Sequence, residues 1–347
     1  MCHDGRADSA SPIATNKHTK HINSATYNYN CAECHYATTT TGTSITNKVN
    51  HVDGNKDVAW KTGGMNSDGA AYGSPNCSNI YCHSQGNLNA QPYNAPETAA
   101  AWNGGNFGTA CTNCHRGNSA SGTVMATNAH TAHVNSAGSV GRNLACGECH
   151  NATVATSSDR QVTGVSNHVN KLVNVKFDNA GVNKDSDNPT YSGVTTTVAN
   201  GSATTPGATG ACSNVYCHSS GNLTDSSGTG SIVVSGSLPT FKTITWNATT
   251  IGCDGCHGNQ AGKSHPTYVG TGVGLTTSNS HTKHVDGSGI GCAYCHTNTV
   301  GTTTPTTPSA VLTTGTPSHL NRIEDVSFLS NGGKTGTYDN AAKTCST

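Results

Sequence analysis

The sequence predicts a largely irregular chain, with few short helices and small β-hairpins. It is laid out as tandem repeats around a scaffold that is not its own side chains. Three observations predict this. The first is composition: of 347 residues, hydrophobic types make up 33% and aromatics 5%, against roughly 45–50% apolar content in ordinary globular domains. Leu, Ile, Val and Phe together are roughly one residue in seven, too few for side-chain burial alone to offset conformational entropy. The second is the presence of 16 Cys and 18 His, a density that points to disulfides or to a metal or cofactor scaffold. The third is repetition: residues 77–88 read CSNIYCHSQGNL and residues 212–223 read CSNVYCHSSGNL.

Charge narrows the function classes. The formal net charge is +0 and charged residues are 10% of the chain, with no Lys/Arg cluster. Nothing neutralises phosphates, so nucleic acid is not expected as a partner. No run approaches the ~18 apolar residues of a transmembrane helix. Met1 leads straight into Cys2-His3, without a signal-peptide pattern.

The motifs identify the scaffold. Seven cysteine pairs end in His. Five are CxxCH: Cys31-Ala-Glu-Cys34-His35, Cys111-Thr-Asn-Cys114-His115, Cys146-Gly-Glu-Cys149-His150, Cys253-Asp-Gly-Cys256-His257 and Cys292-Ala-Tyr-Cys295-His296. Two are CxxxxCH: Cys77 to Cys82-His83, and Cys212 to Cys217-His218. Only Cys2 and Cys345 lie outside a complete motif. CxxCH is the attachment sequence of c-type haem. Two thiols reach two vinyl groups of one rigid macrocycle, and the adjacent His reaches the iron as proximal ligand. In CxxxxCH the vinyl separation is unchanged, so the extra residues must bulge outwards, and Ser78-Asn79 and Ser213-Asn214 suit a turn. Zinc ribbons also use CxxC pairs, but neither zinc nor a disulfide framework requires a His after every second Cys. Seven complete sites in 347 residues is about one per fifty. The predicted fold is therefore haem-scaffolded: macrocycles form the core, and the chain wraps them.

The remaining histidines are also patterned. Three H-x-x-H pairs occur: His18/His21, His130/His133 and His281/His284. Three further His open a shared phrase: His51 in HVDGNKDVAW, His168 in HVNKLVNVKF and His319 in HLNRIEDVSF. Each phrase alternates towards Val58-Trp60, Val175-Phe177 or Val326-Phe328, which reads as a short strand in a small hairpin. These nine His stand at equivalent positions of the repeat and are the expected distal iron ligands. The expected pairing gives His21, His133 and His284 to the CxxCH site that follows each, and His51 and His168 to a neighbouring CxxxxCH site. His18, His130 and His281 would then reach the preceding site. His265 has no counterpart in the first copy, and its role stays open.

The motif order HxxH, CxxCH, [NS]H, CxxxxCH, Trp, CxxCH defines four segments. Residues 1–16 are the tail of a preceding repeat, 17–128 the first repeat, 129–279 the second, and 280–347 a truncated third. The period varies: His18 to His130 is 112 residues and His130 to His281 is 151. Gly/Ser/Thr-rich insertions at 180–211 and 224–240 account for the difference. His3 precedes His18 by 15 residues, as His115 precedes His130, and His319 precedes Cys345 by 26, as His51 precedes Cys77. His3 is thus a candidate proximal ligand, and Cys345 the start of another CxxxxCH. The chain reads as an internal slice of a longer array.

On Cys77–His83 with Cys111–His115, and Cys212–His218 with Cys253–His257, the sequence resembles the multihaem c-type cytochromes of metal-respiring bacteria with mixed CxxxxCH/CxxCH repeats. The resemblance implies covalent haem attachment outside the cytoplasm and long-range electron transfer at or beyond the outer membrane, with the periplasm as alternative. Implied partners are other multihaem cytochromes, copies of the chain in a filament by analogy, and extracellular electron acceptors.

The His supply matches the haem number, so closed six-coordinate irons and electron transfer are expected rather than catalysis. No motif His is replaced by Lys, and Met1, Met65 and Met125 lie outside the ligand positions. Bis-imidazole ligation favours low potentials. The alternatives are an oxidoreductase, or its electron-donating module, with one under-ligated haem, and a haem scaffold serving adhesion. Short helical turns are expected near the motifs. Trp102, Trp246, Tyr81 and Tyr216 are expected against porphyrin or in small clusters.

Overall fold

The computed structural model describes residues 13–23, 27–64, 66, 69–86, 92–96, 101–104, 111–118, 122–135, 143–154, 162–178, 189–192, 196–198, 201–204, 210–219, 243–247, 281–301, 311–312, 319–320, 325–330, 335–339 and 344–346. Cys2, His3, Cys253, Cys256, His257 and His265 lie outside the described residues, as does the side chain of Cys111. Short helical turns, two- and three-stranded sheets and much irregular chain make up the fold, so the expected class holds. Buried apolar side chains are few and sit beside the motifs, among them Ala32, Tyr81, Val215, Tyr216 and Ala293.

Two compact units form. The first comprises Met1–Gly117, Ala152–Asn174 and Ala203–Ala208; the second comprises Asn118–Asn151, Val175–Ser202 and Thr209–Thr347. The first unit thus takes in a stretch that the sequence assigns to the second repeat.

In the first unit, the HxxH pair sits on a five-residue helix, His18–Ile22. A helix this short does not hold itself. Its neighbours hold it: Ile22 is buried, and Tyr29 N–H donates to the His21 carbonyl at 2.8 Å. The CxxCH motif opens in a 3-10 turn, Cys31–Glu33, capped by Asn30, whose side chain accepts from Ala32 N–H. The 57–61 strip runs parallel beside this motif. Ala59 N–H donates to Cys34 O at 3.0 Å, and Tyr36 N–H donates to Ala59 O at 2.9 Å. The CxxxxCH motif grows from an antiparallel hairpin of Ala71–Gly73 and Asn76–Ser78, with Tyr72 opposite Cys77. The expected bulge follows, with Asn79 at φ 55°, and the turn Tyr81–His83 completes the motif. Asn tolerates that left-handed backbone better than most residues.

The second unit repeats these devices twice. Helix His130–Val134 is tied to the CxxCH helix Gly147–His150 through Leu144 N–H to His133 O at 3.1 Å. Thr190–Ser192 pairs with Ala211–Ser213, placing Tyr191 opposite Cys212; Asn214 bulges at φ 55°. The third HxxH lies in a π-turn, Thr282–Gly287, entered from His281. Thr337–Asp339 pairs with Thr344–Ser346, placing Tyr338 opposite Cys345.

One expectation is corrected. Val58-Trp60, Val175-Phe177 and Val326-Phe328 do not form hairpins. They lie parallel to the CxxCH motif of their own repeat, through bridges His35↔Ala59, His150↔Lys176 and His296↔Ser327. The motif curls into a turn, so the pairing hardly extends past one bridge. In the second copy the strip also enters a sheet, Val173–Val175 being one strand of a three-stranded sheet with Gly201–Thr204 and Thr196–Val198.

Candidate metal centres

The HxxH helix sets the geometry. Residues three apart on a helix share a face, so both imidazoles of each pair point the same way. The His18 ring faces His35, with ring centres 6.5 Å apart and planes at 19°. His130 faces His150 at 6.5 Å and 20°, and His281 faces His296 at 6.2 Å and 9°. The second ring of each helix meets a CxxxxCH histidine. His21 lies 5.8 Å from His83 at 59°, and His133 lies 5.9 Å from His218 at 59°. The expected pairing is therefore corrected: the first His of HxxH, not the second, faces the following CxxCH, and the second faces CxxxxCH. The short helix gives one ring to each of two motifs, which spacing alone does not reveal.

These separations fit an iron between two rings. An imidazole nitrogen sits about 2 Å from a metal it ligates, with the ring centre about 1 Å behind it, so two axial rings stand roughly 6 Å apart. Among the described residues no group of three or more His, Cys, Asp or Glu converges on a metal position.

Backbone carbonyls fix the tautomer. His18 and His21 Nδ1 lie 2.9 Å from the carbonyls of Thr15 and Lys17. His130 and His133 Nδ1 lie 2.8 Å from those of Thr127 and Ala129. His35 Nδ1 lies 2.6 Å from Asp57 O, and His296 Nδ1 lies 2.7 Å from Asp325 O. A carbonyl only accepts, so Nδ1 carries the proton and Nε2 keeps its lone pair for a metal. Burial, and then the neighbouring His21, lower His83 to about 4. Burial, and then His133, lower His218 to about 4. Both are neutral at pH 7, as a ligating imidazole must be.

Trp102 stands edge-on to His18 at 5.0 Å and tilts over His21 at 5.3 Å. Trp246 stands likewise against His130 and His133, both at 5.1 Å. Each indole holds both rings of its HxxH helix, where the sequence placed it on porphyrin or in a small side-chain cluster. Its backbone is anchored too: Trp102 N–H donates to Pro75 O and Trp246 N–H to Gly210 O, each at 2.8 Å. Tyr81 packs edge-on against Tyr93 at 5.6 Å.

The thiols gather by repeat. Burial, and then the Cys82 and Cys77 thiols, push Cys34 up to about 12. Burial, and then Cys212 and Cys217, raise Cys149. Cys34 and Cys149 therefore lie near the CxxxxCH thiols of their own repeats. His51 and His319 are half-buried, and His284 is exposed.

Sequence reasoning missed Tyr72, Tyr191 and Tyr338, each opposite the first Cys of a CxxxxCH phrase. The signal was a Tyr ahead of that Cys, but loops of unequal length hide it.

Two stretches, 76–115 and 211–257, match the model of the Geobacter CxxxxCH...CXXCH motif family. No curated protein and no solved structure gave a match. Among the described residues no helix is long and apolar enough to cross a membrane. Over those two stretches the chain is similar to the multihaem c-type cytochromes of this repeat family, and with the motif order, the bulged CxxxxCH turns and the facing imidazoles that likeness supports covalent haem c attachment and electron transfer.

Proposed function

We propose that the chain is an electron conduit in which seven complete motifs hold haem c and each iron is closed by two imidazoles. His35, His83, His150, His218 and His296 are the proximal ligands, with His18, His21, His130, His133 and His281 opposite them in that order. The observation that carries this reading is the same facing geometry, at two or three places for each pair type. Haem supplies one-electron chemistry at the iron; the protein supplies positions. The HxxH helix ties two sites together, since its two rings serve adjacent motifs. Carbonyl-held Nδ1–H groups keep both rings neutral and oriented, and leave no exchangeable ligand for a substrate. Bis-imidazole ligation favours low potentials. This supports extracellular electron transport to metals or other external acceptors, with other multihaem cytochromes or copies of the chain as partners.

The test is the absorption spectrum of the oxidised, haem-loaded protein against its reduced form. Wholly low-spin c-type bands are expected. A high-spin component means an iron with an open position, and favours an oxidoreductase instead.

A further inference from the structure

We infer that the haem attached at Cys111–His115 takes its sixth ligand, His168, from the following repeat, so that successive repeats are stitched together through iron. This rests on the haem reading above and extends it to the third site of the repeat. Residues Ala152–Asn174 follow the next repeat's CxxCH motif in sequence, yet they belong to the first compact unit, with His115. There the Tyr27 hydroxyl lies 3.0 Å from His168 Nδ1, and the two ring centres are 6.3 Å apart. In that unit His35 and His83 already face His18 and His21, which leaves His115 as its motif histidine still to be matched. Burial raises the Tyr27 hydroxyl, and the Cys114 thiol, then Cys82, add to it, so Tyr27 stands by the attachment cysteine of that motif as well as by His168. A second contact seats the same segment: Lys171 Nζ stands 5.9 Å over the Tyr81 ring of the first repeat's CxxxxCH motif.

The chain builds the presentation of His168 deliberately. A 3-10 turn, Val165–Asn167, delivers it. Asn167 Nδ2 donates to Ala152 O at 3.0 Å, and Asn174 Nδ2 donates to Asn167 O at 2.8 Å. Val169 then takes φ 59°, and the residues after His51 and His319 do the same: Val52 at 69° and Leu320 at 60°. Left-handed backbone is costly for a β-branched residue and persists where surroundings impose it. Strain at one register in three copies marks a shared task. The same register pairs His3 with His51 and His257 with His319, though His3 and His257 lie outside the described residues. Ligation through Nε2 leaves the proton on Nδ1, so His168 donates to Tyr27, whose oxygen accepts. Tyr27 is a positioning residue, held flat against Tyr29 at 5.7 Å and 4°. Each repeat's third site is incomplete without the next repeat.

The experiment uses the full haem-loaded chain. His168→Ala should add one haem's worth of high-spin signal by electron paramagnetic resonance. Adding Cys111→Ala and Cys114→Ala should abolish that signal, because the vacant iron goes with its attachment. A high-spin signal that survives the triple change, or none in the single variant, overturns the inference. Haem-peptide mass analysis separates the two readings: no haem on Cys111–Cys114 of the parent sinks the haem reading itself. Should His168→Ala fail to mature, His168→Met keeps a ligand and should raise the potential of one haem, and that component must vanish with the double Cys change. Tyr27→Phe should stay low-spin and raise the potential of that haem alone, since its ligand loses basicity. An unmoved potential, or a shift at another haem, removes Tyr27 from the role.

Discussion

The first and second copies of the HxxH–Trp–CxxCH cluster differ in loop length and local turn type but not in how their rings are set. From His18 to His35 the chain takes 17 residues, and from His130 to His150 it takes 20. The motif turn is 3-10 in one, Cys31–Glu33, and α-helical in the other, Gly147–His150. The CxxxxCH hairpin is tight in the first copy; in the second its strands lie far apart in sequence and a third, Ile244–Thr245, is added. Yet the paired rings stand 6.5 Å apart in both, at 19° and 20°, and the His21 and His133 rings meet their partners at one angle, 59°. What is held constant is the pair of imidazole positions. The chain between them is free to vary because it packs little core of its own.

The largest break in that comparison is removal of the cofactor. If imidazole pairs and macrocycles organise both copies, the haem-free chain should lose both together. Calorimetry of a haem-free preparation should show no cooperative transition, since the apolar side chains are too sparse to replace the macrocycles. A sharp transition would mean that side chains make the core.

Next come the two rings of one helix. His18→Ala should open the iron at Cys31–His35, and His21→Ala the iron at Cys77–His83. Each should add one high-spin haem, and each signal should disappear when the corresponding cysteine pair is also changed to Ala. The opposite assignment would restore the pairing that spacing suggests. Trp102→Ala should act on both sites at once but more mildly, giving partial high-spin character at two haems. Trp246→Ala should do the same in the second copy. An effect confined to one haem would show that the indole supports only one ring.

The smallest effect is expected at the bulges. Asn79→Ala and Asn214→Ala place a less tolerant residue at φ 55°, costing roughly 1–2 kcal/mol each. Equal losses of thermal stability would confirm that the two CxxxxCH turns are equivalent. Gly at either position should be close to neutral.

Much of this was legible in the sequence because covalent chemistry constrains it. The spacing of Cys31, Cys34 and His35 is dictated by a rigid macrocycle, and the Ser-Asn bulge at 78–79 follows from the same demand. The loop-rich class follows from the scarcity of Leu, Ile, Val and Phe. The pairing of His18 with His35 was not legible. Two His three residues apart look equivalent along a chain, and the direction in which one short helical turn projects them depends on contacts such as Tyr29 N–H to His21 O. Nor was the edge role of Val58-Trp60 legible, since period-two alternation is the same whether its partner is a strand or a haem motif. Trp102 was noticed, but its place between His18 and His21 comes from a hairpin fold-back that no local pattern carries.

The most direct measurement is an experimental structure of the haem-loaded chain, reading the distance from His18 Nε2 and from His21 Nε2 to each iron. The expected result is about 2 Å from His18 to the iron that His35 binds, and about 2 Å from His21 to the iron that His83 binds. His21 on the iron of His35, or either iron with a single imidazole, would contradict the bis-histidine arrangement proposed for the conduit.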